Sequence, residues 1–155
     1  MTENKTSIRA LTPADESAVK KFFASLGNEG AEFFNKNNGN LNRCLDFFSG
    51  NRPFHEFYGA FSGCEMTGIV FIWDTDRRVV WLGIGVCEKC RGDGTAKMLM
   101  EHIFSETENR AGGILLRTAA DNTRAQRFYE KCGFENIGTH PSGEILYIRR
   151  FGADD

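Results

Sequence analysis

The stretch Val86 to Ala96, VCEKCRGDGTA, runs straight into a helix-patterned segment, and its reading decides the fold. Arg91, Gly92 and Gly94 set a positive charge beside two residues with no side-chain bulk. A helix opening near Gly94 to Ala96 adds unpaired backbone N–H groups and the positive end of a helix dipole. Together these form a cradle for an anion such as a diphosphate. The plainer alternative is that the glycines only turn a strand into a helix. The common phosphate fingerprints do not fit. A P-loop needs Gly-Lys, a pair that occurs nowhere in the chain, and G-x-G-x-x-G fails because Gly83-x-Gly85 runs into Glu88 and Gly92-x-Gly94 into Lys97.

What fits is Arg91-x-x-Gly94-x-Ala96, followed about a strand and a helix later by Asn122-Thr-Arg-Ala125-Gln-Arg-Phe128-Tyr129-Glu-Lys-Cys-Gly133-Phe134. The first resembles the Q/R-x-x-G-x-G/A diphosphate loop of the GNAT superfamily of N-acetyltransferases. The second resembles the N-x-x-A-x-x-L/F-Y-x-x-x-G-F element that follows it there. Order and spacing agree over Val79 to Phe134; elsewhere only the order of elements supports the resemblance.

The resemblance implies an α+β fold: a central, mostly antiparallel sheet of six or seven strands, flanked by about four helices and splayed at the strand ending near Val86. It implies acetyl-CoA as co-substrate, with the pantetheine arm along the backbone of Ile84 and Val86. The diphosphate would lie on Arg91, Gly92, Asp93, Gly94, Thr95 and Ala96, and Asn122 would touch the CoA arm as well as cap its helix. Tyr129 is implied as the proton donor to the leaving thiolate, which suits a phenol that stays protonated at neutral pH. A backbone N–H near Ile84 or Gly85 would stabilise the oxyanion as an amine attacks the thioester directly. Asp93 fits an anion cradle only if its carboxylate turns away. No general base stands out, because Val79 to Val86 carries no acid. Glu32, Glu56, Asp74, His55, His140 and Glu144 lie on segments expected to line the acceptor side, with a water relay or a neutral acceptor as alternatives.

Length and composition suit one domain over residues 1–155, at 41% hydrophobic and 26% charged. A net charge of -2 with scattered cations argues against a nucleic-acid partner. The polar start and the lack of a long apolar run point to a cytoplasmic protein with no membrane partner. Small-molecule or peptide amines are the expected acceptors, with a homodimer as one assembly. The five cysteines are odd in number, so reduced thiols are expected, and no metal. Cys87-x-x-Cys90 keeps a thiol redox reading open, and a CoA-binding sensor is the other alternative to catalysis.

Patterning supplies the elements. Ser7 to Ala10 reads as a first strand, and Thr12-Pro13-Ala14-Asp15 as a capped helix start whose face is Val19, Phe22, Phe23 and Leu26, ending at Gly27. Asn28 to Asn40 reads as a loop, with a short helix over Leu41 to Phe48. Phe57 to Phe61, Thr67 to Trp73 and Val79 to Val86 read as an antiparallel meander, with Gly83 and Gly85 marking a bulge or a close backbone approach. A helix from Thr95 to Arg110, a strand from Ile114 to Thr118, a helix from Thr123 to Cys132 and a strand from Gly143 to Phe151 complete the order. Leu99, Ile103 and Phe128 read as core.

Overall fold

The protein is described over residues 5–152 by a computed structural model; residues 1–4 and 153–155 of the expected domain lie outside that description. The strands are β1 (Thr6–Ala10), β2 (His55–Ser62), β3 (Glu65–Trp73), β4 (Val79–Val86), β5 (Gly113–Thr118), β6 (Glu135–Thr139) and β7 (Ile145–Arg150). The helices are α1 (Glu16–Ala24), α2 (Gly27–Phe34), α3 (Gly39–Phe48), α4 (Thr95–Thr107) and α5 (Thr123–Lys131). All seven strands join one sheet in the order β1-β2-β3-β4-β5-β7-β6. Every pairing is antiparallel except β4 with β5. A parallel pair requires a crossover, and α4 provides it.

Because side chains alternate across a strand, the sheet buries a different core on each face. One holds Val80, Leu82 and Ile114 against Leu99, Met100 and Ile103 of α4, with Tyr129 and Tyr147 beside them. The other holds Phe57, Ile69 and Phe71 against Val19, Phe22 and Phe23 of α1 and Cys44 of α3.

The entry to α1 is built as its residues dictate. Thr12 and Asp15 form a reciprocal capping box around a single 3-10 turn at Pro13–Asp15. The buried Asp15 carboxylate also takes two hydrogen bonds from Arg9, at 2.8 and 2.9 Å, and one from the Thr12 N–H at 2.9 Å.

Two differences from the sequence expectation have physical reasons. The Asn- and Gly-rich stretch is helical: Gly27, at φ +76°, turns the chain out of α1 and opens α2 instead of ending in a loop. Among the described residues five α-helices result, in keeping with the expected flanking layers. The strand β6 is exposed along its whole length and pairs only with β7, so it has no buried face to write an apolar alternation.

Asp15→Asn should cost about 1–3 kcal/mol, since it weakens the pair with Arg9 and disturbs the cap. The Arg9 guanidinium holds the Asp15 carboxyl below its ordinary value. Its contribution is therefore complete above the unfolded value of about 4 and is lost as pH falls through the lower folded value. Melting temperature against pH should show a shallower acid limb in the variant; an unchanged limb would remove Asp15 from the account.

Candidate active site

Pairing between β4 and β5 covers only Val79 to Trp81. Beyond Trp81, β4 continues to Val86 held by β3 alone, so a gap opens between the two strands. The Cys87 N–H donates to the Thr67 carbonyl at 2.9 Å, which continues the β3–β4 register and sets the alternation of the strand. Odd positions turn their backbone groups to β3; Ile84 and Val86 turn theirs into the gap. The register runs unbroken from Gly68↔Val86 to Trp73↔Trp81. Gly83 and Gly85 thus mark a close approach and no bulge: the Phe71 ring lies against one and the Phe34 ring against the other, 2.6 Å from where a Cβ would stand.

A cavity of about 1130 Å³ runs along this gap. Ile84, Gly85 and Val86 line it from β4, Arg91, Gly92 and Ala96 from the following loop and helix start, and Asn122 and Tyr129 from α5. Asp93, Gly94 and Thr95 are not among the residues that line it. Gly94 holds φ +93° as the residue that turns the chain into α4. The Asp93 carboxylate accepts from the Thr95 N–H at 3.0 Å and from its hydroxyl at 2.7 Å, capping the helix. The Asp93 N–H is spent on the Cys90 carbonyl. Gly92, Gly94 and Ala96 keep N–H groups without an acceptor among the described residues. Arg91 makes a 2.9 Å ion pair with Glu29 of α2, which also lines the cavity.

One pair of the five cysteines is brought close together. A 3-10 turn at Glu88–Cys90 brings Cys87 and Cys90 to a Cα separation of 5.3 Å, within the range that a disulfide spans. Cys44, Cys64 and Cys132 are free, and burial pushes the Cys44 thiol up to about 12. Among the described residues no cluster of three or more His, Cys, Asp or Glu is placed to hold a metal ion.

On α5 the Asn122 side chain caps the helix by accepting from the Ala125 N–H at 3.3 Å. Tyr129 is a core residue and a wall residue at once, packed near Phe128, Phe134 and Tyr147 while lining the cavity. Burial raises its phenol above the ordinary value. Phe128 likewise lines the cavity rather than lying wholly in the core. Arg124, Arg127 and Lys131 add cations along the same wall. The sequence reading missed them, although their spacing of three and four residues puts them on one helix face.

A protein-family comparison matches residues 23–134 to the acetyltransferase (GNAT) family. The chain belongs to that family. The fold is shared with the GNAT domain of S. lividans PAT, at TM-score 0.82 and 14% identity over 94% of this chain and 90% of that one. It is shared too with the PaiA N-acetyltransferase of Thermoplasma acidophilum, solved with coenzyme A, at TM-score 0.73 and 16% identity over 95% and 99%. In sequence the chain is 36% identical over 65 residues to a 5-NmdU N-acetyltransferase of Pseudomonas phage PaMx11, a match spanning 42% of this chain and 45% of that relative.

Within this GNAT fold the acids and histidines considered as bases do not gather at the cavity. The Glu56 carboxylate receives Arg110 at 2.6 and 2.7 Å and the Tyr58 hydroxyl at 2.8 Å, and these hold it below its ordinary value. His55 Nε2 must accept from Arg43, at 3.0 Å, because a guanidinium only donates; Nδ1–H therefore donates to the Pro53 carbonyl. Glu32 pairs with Lys36, and Glu144 pairs with Arg117, whose guanidinium also lies beside His140. Asp74 sits in the turn after β3 at φ +60°. The acids that do line the cavity are Glu29 and Asp121, both missed in sequence.

Gly83→Ala should lower stability by about 1–3 kcal/mol in denaturant titration, because the added methyl meets the buried Phe71 ring. A neutral result would mean that the ring can shift and that the glycine is not needed for packing.

Proposed function

We propose that this single domain is an acetyl-CoA-dependent N-acetyltransferase that modifies a primary amine of a small molecule or peptide. The observation carrying this reading is one cavity that joins the unpaired backbone of Ile84 and Val86, the free amides of the Arg91 to Ala96 loop, and Tyr129. The similarity to a relative named as an N-acetyltransferase supports the same class of reaction.

The residues fit CoA in kind. Ile84 and Val86 offer backbone groups for the amides of a pantetheine arm, as an added strand would use them. Gly92, Gly94 and Ala96 offer N–H groups to a diphosphate, while the Thr95 amide is already held by Asp93. Arg91 meets the diphosphate after exchanging its pair with Glu29, and Arg124, Arg127 and Lys131 supply further positive charge for phosphate oxygens.

Acetyl-CoA supplies the acetyl thioester. In the transfer a bond forms from the acceptor nitrogen to the acetyl carbon as the carbon–sulfur bond breaks. The nitrogen gives up a proton to water and the sulfur gains one. The Ile84 N–H, turned into the gap, donates toward the acetyl oxygen as charge develops there, an effect worth about 3 kcal/mol at such sites. Tyr129 holds a proton on its hydroxyl for the departing sulfur. A CoA-binding sensor would share the cavity and is separated from an enzyme by turnover.

Release of free CoA across a panel of amines tests the reaction. Calorimetry should detect CoA binding, and its absence at roughly millimolar CoA would sink the reading. Gly94→Glu should abolish that binding through charge and bulk, and should also lower the melting point, since φ +93° disfavours any side chain.

Tyr129→Phe keeps the ring and its burial, so folding and CoA affinity should hardly change while turnover falls about ten- to a thousandfold. Burial keeps the Tyr129 proton in place beyond the ordinary phenol value of about 10. The loss should therefore be uniform from neutral pH to about pH 10, with no alkaline limb due to this residue. Wild-type turnover in the variant, with chemistry rate-limiting, would leave Tyr129 a packing residue only.

A further inference from the structure

Residues on the sheet face toward α1–α3 build a second constellation at the mouth of the fork. Phe57, Phe71, Trp73 and Trp81 come from three neighbouring strands and point to that face. Their rings follow one another at centroid separations of 4.8, 5.8 and 6.1 Å, with interplanar angles of 17°, 26° and 12°. Phe57 and Phe71 are buried, whereas Trp73 and Trp81 are half-buried and end the row at the surface. Trp81 is also the last β4 residue paired to β5, so its ring stands where the gap begins.

Two guanidinium groups flank this aromatic end. Arg43 of α3 lies 4.4 Å from the Trp73 ring centroid, and Arg117 of β5 lies 5.7 Å from that of Trp81. Arg43 is half-buried and has no carboxylate within ion-pair distance among the described residues; its hydrogen-bond partner is the neutral His55. Burial and the nearby Arg52 and Arg117 all act against its charge, with Asp74 the one acid in opposition. Arg117 reaches Glu144 only at 3.7 Å and remains exposed. Cations gathered at this spacing, half-desolvated and short of counter-charge, gain from an added anion. Partly exposed indole faces gain from a stacked ring.

We propose that Trp73, Trp81, Arg43 and Arg117 form the acceptor subsite, selecting a primary amine carried on an aromatic ring that also bears a phosphate or similar anionic oxygen group. The proposal rests on the transferase reading above. Beyond Trp81 this face of β4 is covered by the Phe71 and Phe34 rings, which lie over Gly83 and Gly85, so an arm starting at Trp81 enters the gap between β4 and β5 that begins at that residue. A ring lying on Trp81 can thus present a short aminoalkyl arm to the gap where Ile84 turns its N–H. The chemistry sought is common to aryl phosphates and to nucleotides with an aminoalkyl base, and the test separates them.

The chain has two tryptophans, and both are in this subsite, so tryptophan fluorescence reads it directly and without turnover. The CoA-bound protein is titrated with tyramine, O-phosphotyramine, 5-aminomethyl-2′-deoxyuridine 5′-monophosphate, 1,4-diaminobutane and inorganic phosphate, and acetyl transfer to the amines is followed in parallel. O-phosphotyramine or the nucleotide should quench the fluorescence and exceed tyramine about tenfold in affinity and in kcat/KM, a difference of roughly 1.4 kcal/mol. Diamine and phosphate should leave the fluorescence unchanged. The better of the two phosphorylated amines identifies the source of the ligand chemistry. Arg43→Gln and Arg117→Gln should each pull the ratio of phosphorylated to unphosphorylated amine toward one, and Trp81→Leu should weaken both aromatic amines.

Equal handling of tyramine and the phosphorylated amines, preference for the diamine, or indifference of the ratio to both arginine variants would overturn the proposal. Acetylation of other amines in that case would leave the transferase reading standing. Failure to bind CoA would instead strike the transferase reading, while the titrations of the free protein would still decide whether the subsite binds anionic aromatic amines.

Discussion

The premature end of hydrogen bonding between β4 and β5 is the constraint on which the rest depends. A parallel pair that closed fully would consume the backbone groups of Ile84 and Val86 and seal the sheet. Because pairing stops at Trp81, those groups stay available in the interior of the domain, where unpaired backbone is costly unless a ligand or water satisfies it. The gap persists because β4 is secured from its other side by an unbroken register with β3, and because α4 and α5 press on the face that holds Leu82 and Tyr129. The open sheet is therefore held by two well-packed cores, and the cavity is a consequence of the topology.

Electrostatics divides the two ends of this gap. At the α4 end, the free amides of Gly92, Gly94 and Ala96 and the nearby Arg91, Arg124 and Arg127 suit phosphate groups. Asp93, which looked hostile to an anion, serves as the cap of α4, and its carboxylate is occupied by Thr95. At the Trp81 end, aromatic surface meets two further arginines. The acids that would cancel these charges are mostly engaged elsewhere, as Glu56 is with Arg110 and Tyr58. Glu29 is an exception, bound to Arg91 across the cavity and exchangeable with a stronger anion.

Much of this was legible in the chain. The meander, the helix after Gly94, the capped start at Thr12 and the Asn122 cap each rest on local chemistry that acts within a few residues. What escaped were features whose cause is distant. Strand β6 is made by its pairing with β7 rather than by any buried face of its own. The helix α2 lays the Phe34 ring over Gly85 and pairs Glu29 with Arg91, both remote in sequence. The close approach of Cys87 and Cys90 depends on a tight turn that composition does not announce.

By itself the sequence determined most of the elements, the glycine turn that opens α4 and the placement of Tyr129 on a helix, because hydrophobic period, capping residues and glycine act locally. Only the tertiary structure decided which backbone groups of β4 face the gap, because that follows from the β3 register and from where β5 diverges. It alone brought Arg43, Trp73, Trp81 and Arg117 to one surface. These residues come from a helix and three strands scattered along the chain, and no local pattern joins them until the sheet has formed.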